Sequence, residues 1–129
     1  AQATFIVGER KDSHESLRRL RAFANEVDPD IAIFMVLTPF PVSELYETAK
    51  QNGWIEDTNW ANYDMVHAIM STEYLTKAEV QEELYKCYQD FYGSMRRRIT
   101  SIFSPNTLKQ RTYRYLASQG ILNTLRNLF

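Results

Sequence analysis

A chain of 129 residues, 44% hydrophobic and 24% charged, holds apolar material for one core and too little for two. Its net charge of -1 conceals a split, because residues 1–75 carry six Lys/Arg against twelve Asp/Glu, residues 76–129 carry nine against four, and no acid follows Asp90. The lone Cys87 excludes an internal disulfide and any zinc or iron-sulfur site built from this chain alone, while the lack of an apolar run of roughly 18 residues or of a basic-then-apolar leader predicts a cytoplasmic protein without a membrane span.

The chain starts at Ala1 without methionine and enters an apolar stretch almost at once, which predicts an excision boundary. Residues 3–8 (ATFIVG) are short, β-branched and aromatic and stop at a glycine, as a buried parallel strand does. Asp12 stands three residues before Glu15, the spacing of a reciprocal cap, so a helix is expected to start there. Leu17, Leu20, Ala24 and Val27 form its apolar stripe, and Pro29 stops it. Residues 31–37 (IAIFMVL) are seven apolar residues in a row, which predicts a second strand buried on both faces. Two such strands joined by one amphipathic helix lie parallel in one sheet.

Residues 43–52 give the next helix, with Leu45, Tyr46 and Ala49 on its core face and Gly53 at its left-handed end. A polar, aromatic-punctuated loop over residues 54–63 leads to residues 65–70 (MVHAIM), read as a short third strand. Thr76 and Glu79 form another capping box. It opens a long helix striped by Val80, Leu84, Cys87 or Tyr88, Phe91, Met95, Ile99 and Ile102 or Phe103, with Gly93 marking where it bends or splits. Ser104-Pro105 reads as the cap and first turn of a last helix carrying Leu108, Tyr115, Leu122 and Phe129, which Gly120 interrupts. The expected organisation is residues 1–75 as β/α units and 76–129 as a helical extension.

Ligands of parallel α/β sheets gather at the carboxyl ends of the strands, here Gly8-Glu9-Arg10 and Thr38-Pro39-Phe40-Pro41. Gly8 lets backbone approach a flat ligand, although an ordinary strand-ending glycine has the same sequence signature. His67, within the third strand, is placed to face a cavity as acid, base or donor, the plainer reading being a half-buried, hydrogen-bonded histidine. Cys87 reads as a small core hydrophobe. Arg96, Arg97, Arg98, Lys109, Arg111, Arg114 and Arg126, with Tyr113 and Tyr115 alternating among them, read as a nucleic-acid stacking surface, and equally as the solvated face of amphipathic helices. No Gly-rich phosphate loop, metal-ligand spacing or Ser-His-Asp set occurs.

The run FIVGERKDSHESLRRLRAFANEVDPDIAIFMVLTPFPVSELYETAKQNGWI, followed by WANYDMVHAIM, resembles the closing half of a radical S-adenosylmethionine (SAM) barrel. Within that superfamily it is most similar to cobalamin-binding members, and the tail TKAEVQEELYKCYQDFYGSMRRRI is most similar to their oxidative cyclase branch, whose substrate is a magnesium porphyrin. The resemblance implies an α/β fold, a partial parallel β/α barrel made of its late strands and followed by a C-terminal helical extension. It implies a longer parent in which a C-x-x-x-C-x-x-C motif holds a [4Fe-4S] cluster that cleaves SAM, beside a cobalamin-binding portion. Those portions of the same parent chain and the porphyrin are the implied partners, and the fragment alone is expected to hold no cofactor and to be inactive. Carried onto this sequence, Val7, Gly8 and Glu9 would border the adenine or ribose of SAM, and Leu37, Thr38 and Pro39 would line the next strand end. Two departures stand out. The family's Gly-Leu-Pro-Gly-Glu-Thr-like loop is here Gly8-Glu9-Arg10-Lys11-Asp12-Ser13, and its Pro-Gly-Thr is here Pro41-Val42-Ser43. The rival expectation is a self-contained module binding RNA or a partner protein through the basic, tyrosine-rich helices.

Overall fold

A computed structural model of the chain describes residues 1–126 and, in the last helix, side chains as far as Gln119. The order is β1 (Gln2–Val7), α1 (His14–Val27), β2 (Ile31–Val36), α2 (Glu44–Gln51), a single 3-10 turn (Trp60–Asn62), α3 (Lys77–Tyr92), α4 (Met95–Ile102) and α5 (Thr107–Arg126). β1 and β2 form a two-stranded parallel sheet with Val7 opposite Val36, as expected of apolar strands joined by a crossover helix. The result is a mixed α/β fold with five helices.

Side chains alternate across the strands. Phe5, Val7, Ala32, Phe34 and Val36 turn to one face and are buried with Leu17 and Ala24 of α1 and Val80, Leu84, Cys87 and Phe91 of α3. Phe34 is central, stacked on Phe5 at 5.2 Å and meeting Phe91 edge-on at 6.1 Å between ring centroids. The other face is a correction to the expectation of a doubly buried strand. Ile6 is half exposed and Ile31, Ile33 and Met35 are only partly buried, the core cluster with α1 and α3 lying on the opposite face.

α1 and α3 are also joined by charge. Glu83, 2% exposed, pairs with Arg21, accepts from Lys86 Nζ at 3.1 Å and shares a hydrogen bond with His14 Nδ1 at 2.9 Å. Burial opposes its ionisation, but these three partners outweigh burial and hold its carboxyl below the ordinary range.

Several boundaries differ from the expectations. Ser13, not Asp12, caps α1 in a reciprocal box with Ser16, because the Asp12 carboxylate is taken by the Gly8 and Glu9 amides and the Ser16 hydroxyl. α2 lies within the expected residues 43–52, with Ser43 as its cap rather than its first residue, but only Ala49 is fully buried, Leu45 and Tyr46 being half covered. Residues 65–70 are not a strand. Met65 has φ +64, the Asp64 carboxylate takes the amides of Val66 and His67, and only Met70 makes an isolated bridge, to Ile55.

The Thr76–Glu79 box opens α3 as expected. The long stripe ends at Phe91, since Gly93 closes α3 and Ser94 caps a separate helix on which Met95 and Ile99 are exposed, as is Phe103 just beyond it. The last helix starts at Thr107, with Asn106 rather than Ser104 receiving the free amides of Leu108 and Lys109. Among its described side chains Tyr113 is buried, while Leu108 and Tyr115 are exposed, and the helix runs through Gly120. The side chain of Leu122 and all of Phe129 lie outside the described residues.

Candidate functional site: the strand ends and the two sheet edges

The carboxyl ends of β1 and β2 are adjacent. Leu37 N–H donates to Val7 C=O at 2.8 Å, which places Val7, Gly8, Leu37, Thr38 and Pro39 together at one end of the sheet. Val7 and Pro39 are fully buried there, Thr38 is buried with its hydroxyl on Val36 C=O at 3.1 Å, and Glu9 is exposed. Gly8 has φ +92, and an added Cβ would lie 3.0 Å from Val80 Cγ1 of α3. The fold therefore uses its missing side chain for turn geometry and close packing.

The loop leaving β1 is anchored. Asp12 holds the Gly8 and Glu9 amides at 2.9 and 3.0 Å, Thr72 Oγ1 donates to Asp12 C=O at 2.8 Å, and Glu73 N–H donates to Arg10 C=O at 2.8 Å. Arg10 lies over the Trp54 ring at 4.2 Å and donates to Ser71 C=O at 2.6 Å. With the first two amides occupied, the carbonyls of Gly8, Leu37, Thr38 and Pro39 and the Thr38 N–H are main-chain groups here with no partner among the described residues. Such a rim can hold a flat, hydrogen-bonding ligand by its edge.

His67 is half exposed on the turn that replaces the expected third strand, its Nδ1 2.8 Å from Asp64 Oδ2. The His67 and Val66 amides hold the Asp64 carboxyl down at about 2. This turn adjoins the strand ends, for Met65 C=O accepts from Val36 N–H at 2.8 Å, and the Gln81 side chain pins it to α3 through Val66 C=O and Ala68 N–H.

The two edges of the sheet are finished differently. In a parallel pair alternate residues bond inward. With Leu37 on Val7 and this register, Ala3, Phe5 and Val7 face β2, and the N–H and C=O groups of Gln2, Thr4 and Ile6 point outward without partners among the described residues. On β2 the outward groups are those of Ala32, Phe34 and Val36. Tyr92 Oη accepts from Ala32 N–H at 3.0 Å and donates to Ala32 C=O at 2.8 Å, and Tyr88 Oη does the same for Phe34 at 3.2 and 2.9 Å. The match is geometric: four residues of helix rise about 6.0 Å and two residues of strand about 6.6 Å. Sequence reasoning counted Tyr88 as an alternative core position and passed over Tyr92. The available signal was two hydroxyl-bearing aromatics at a helical i,i+4 spacing.

Cys87 is buried on α3 and burial pushes its thiol up to about 11. Among the described residues no group of three or more His, Cys, Asp or Glu side chains is arranged around a common point that could hold a metal ion, and no helix is long and apolar enough to cross a membrane. The basic tail is partly spent inside the molecule. Arg97 pairs with Asp28 and lies 3.8 Å from the Phe91 ring centroid, Lys109 Nζ is 3.0 Å from Asp28, and Tyr113 is buried beside Tyr92 rather than offered for stacking.

No protein-family model matches the chain. It is 30% identical over 103 residues, 80% of its length, to an uncharacterized methyltransferase of Pyrococcus horikoshii. It is 22% identical over 107 residues to bacteriochlorophyllide d C-8(2)-methyltransferase of Chlorobaculum tepidum, covering 83% of this chain. It is 29% identical over 91 residues to the anaerobic magnesium-protoporphyrin IX monomethyl ester cyclase of Cereibacter sphaeroides, covering 70% of this chain. The matched segment is 22%, 24% and 14% of those proteins' lengths, so the chain spans about a quarter of its relatives or less. Together these similarities support a radical SAM family relationship for the chain.

Proposed function

We propose that the chain is the C-terminal segment of a cobalamin-dependent radical SAM oxidative cyclase acting on magnesium-protoporphyrin IX monomethyl ester in bacteriochlorophyll synthesis. The observation that carries the segment reading is the unfinished side of the sheet: an outward row of unpaired main-chain groups on Gln2, Thr4 and Ile6, next to a partly bare apolar face. A row of this kind pairs with another strand, and the far longer relatives have polypeptide to supply it. The parallel pair is then read as late strands of a β/α barrel, with residues 76–129 as its helical extension and its N-terminal partners in the same parent chain.

The residues present do not fit an iron-sulfur cluster, since the one thiol is in the core. The cluster and cobalamin belong to other parts of the parent. For SAM the fit is limited to the rim at Val7, Gly8, Glu9, Leu37, Thr38 and Pro39, whose free carbonyls and amide suit a purine or ribose edge. His67 lies on the neighbouring turn as the candidate to face the porphyrin.

The experiment is anaerobic reconstitution of this chain with iron, sulfide, reductant and SAM. The expected result is no cluster absorbance and no 5'-deoxyadenosine. A chain that assembles a cluster and cleaves SAM by itself overturns the segment reading.

A further inference from the structure

α4 is built inside out. At 100° per residue, Arg97 and Ser101 share the face turned to the interior, where Arg97 meets Asp28 and Phe91 and Ser101 is fully buried. Met95 and Ile99 point the opposite way, continued by Phe103 at the turn, with exposures of 65%, 54% and 78%. Arg96 and Arg98 fall on the two flanks of that apolar stripe, and both are exposed. α5 repeats the pattern. Tyr113 is buried against Tyr92, and the opposite side carries Leu108, Arg111 and Tyr115, all exposed. Both interior faces converge on the end of α3, so both outer faces turn away from it.

We propose that this outer side of α4 and α5 docks on the surface of an anionic bilayer, a reading independent of the enzyme assignment. Three exposed apolar side chains between arginines suit the headgroup boundary, where the apolar groups enter the acyl region and the guanidinium groups remain with phosphates. The sign of the field agrees, since no Asp or Glu follows Asp90. Nucleic acid fits less well because Tyr113 of the Arg/Tyr array is buried and Arg97 and Lys109 are already paired with Asp28, which takes an aromatic and two cations out of any stacking surface.

The experiment is co-sedimentation of the 129-residue chain with phosphatidylcholine vesicles, with and without roughly one third phosphatidylglycerol, at low and high salt. Expected is binding to the anionic vesicles, on the order of tenfold above the neutral ones and weakened by salt. Ile99→Asp with Phe103→Asp should abolish it. Arg96→Gln with Arg98→Gln, which leaves the apolar stripe intact and so controls for misfolding of the first variant, should lower it on the order of tenfold. No binding to anionic vesicles overturns the proposal. So does binding unchanged in both variants, or a preference for single-stranded RNA that survives loss of Ile99 and Phe103.

Discussion

β1 and β2 are the same length and lie side by side, yet they are finished in opposite ways. The outer edge of β2 is saturated by Tyr88, Tyr92 and the Met65 carbonyl, while that of β1 is bare among the described residues. Their exits differ in the reverse sense. β1 leaves through Gly8 at φ +92, a conformation that costs glycine little, whereas the segment after β2 passes through Val42 at φ +70, where a β-branched residue is strained. One strand thus has an open flank and a relaxed exit, the other a closed flank and a strained exit. A strand flanked by a permanent helix needs no further neighbour, and a strand with an unprotected flank does.

The largest effect that would break this contrast is removal of both hydroxyls. Tyr88→Phe with Tyr92→Phe leaves the N–H and C=O groups of Ala32 and Phe34 without partners, at a cost of about 4 kcal/mol in chemical denaturation, and the newly bare edge should raise self-association in sedimentation. Unchanged stability would show that the hydroxyls do not seal the edge. Next in size is Val42→Gly, which places glycine where the family resemblance has it and should stabilise the chain by about 1 kcal/mol in thermal melts. Thr4→Pro probes the bare edge. Its N–H points away from β2, so the change should cost under about 1 kcal/mol while abolishing any pairing at that edge.

The smallest effect concerns the third seal of β2. The Asp64 carboxyl is held at about 2 by the His67 and Val66 amides, well below its ordinary 3.8, so the native turn favours the ionised form. Its contribution is full above the ordinary carboxylate range and is lost as pH falls towards 2. Faster hydrogen exchange at Val36 N–H in that acid window would report it, and an Asp64→Asn variant should lack the pH dependence.

The strands, the first three helices and the parallel pairing were legible because apolar runs, capping residues and prolines act locally. The Ser13 cap was missed by one position, since Asp12 is as good a cap by type and only the folded loop shows its carboxylate engaged by Gly8 and Glu9. Residues 65–70 look like a strand by composition, but Asp64 offers the chain a tighter local hydrogen-bonding scheme. The continuous stripe through Met95 and Ile99 failed for a different reason. Periodicity locates an apolar face without saying which way it points, and on α4 it points outward. At the candidate site the adjacency of the two strand ends was legible from topology, whereas Tyr88, Tyr92, Gln81 and Asp12 act through contacts across the fold that no local pattern announces.

Asp28 ends α1 in a left-handed conformation, is followed by the stiff Pro29, and holds both Arg97 of α4 and Lys109 of α5. Two helices that follow one another in the chain are thereby moored to one carboxylate on a rigid post. That carboxylate ties their two positions together, beside the separate packing of Arg97 on Phe91 and of Tyr113 on Tyr92, and Asp28→Asn would loosen both helices at once while leaving the strands where they are.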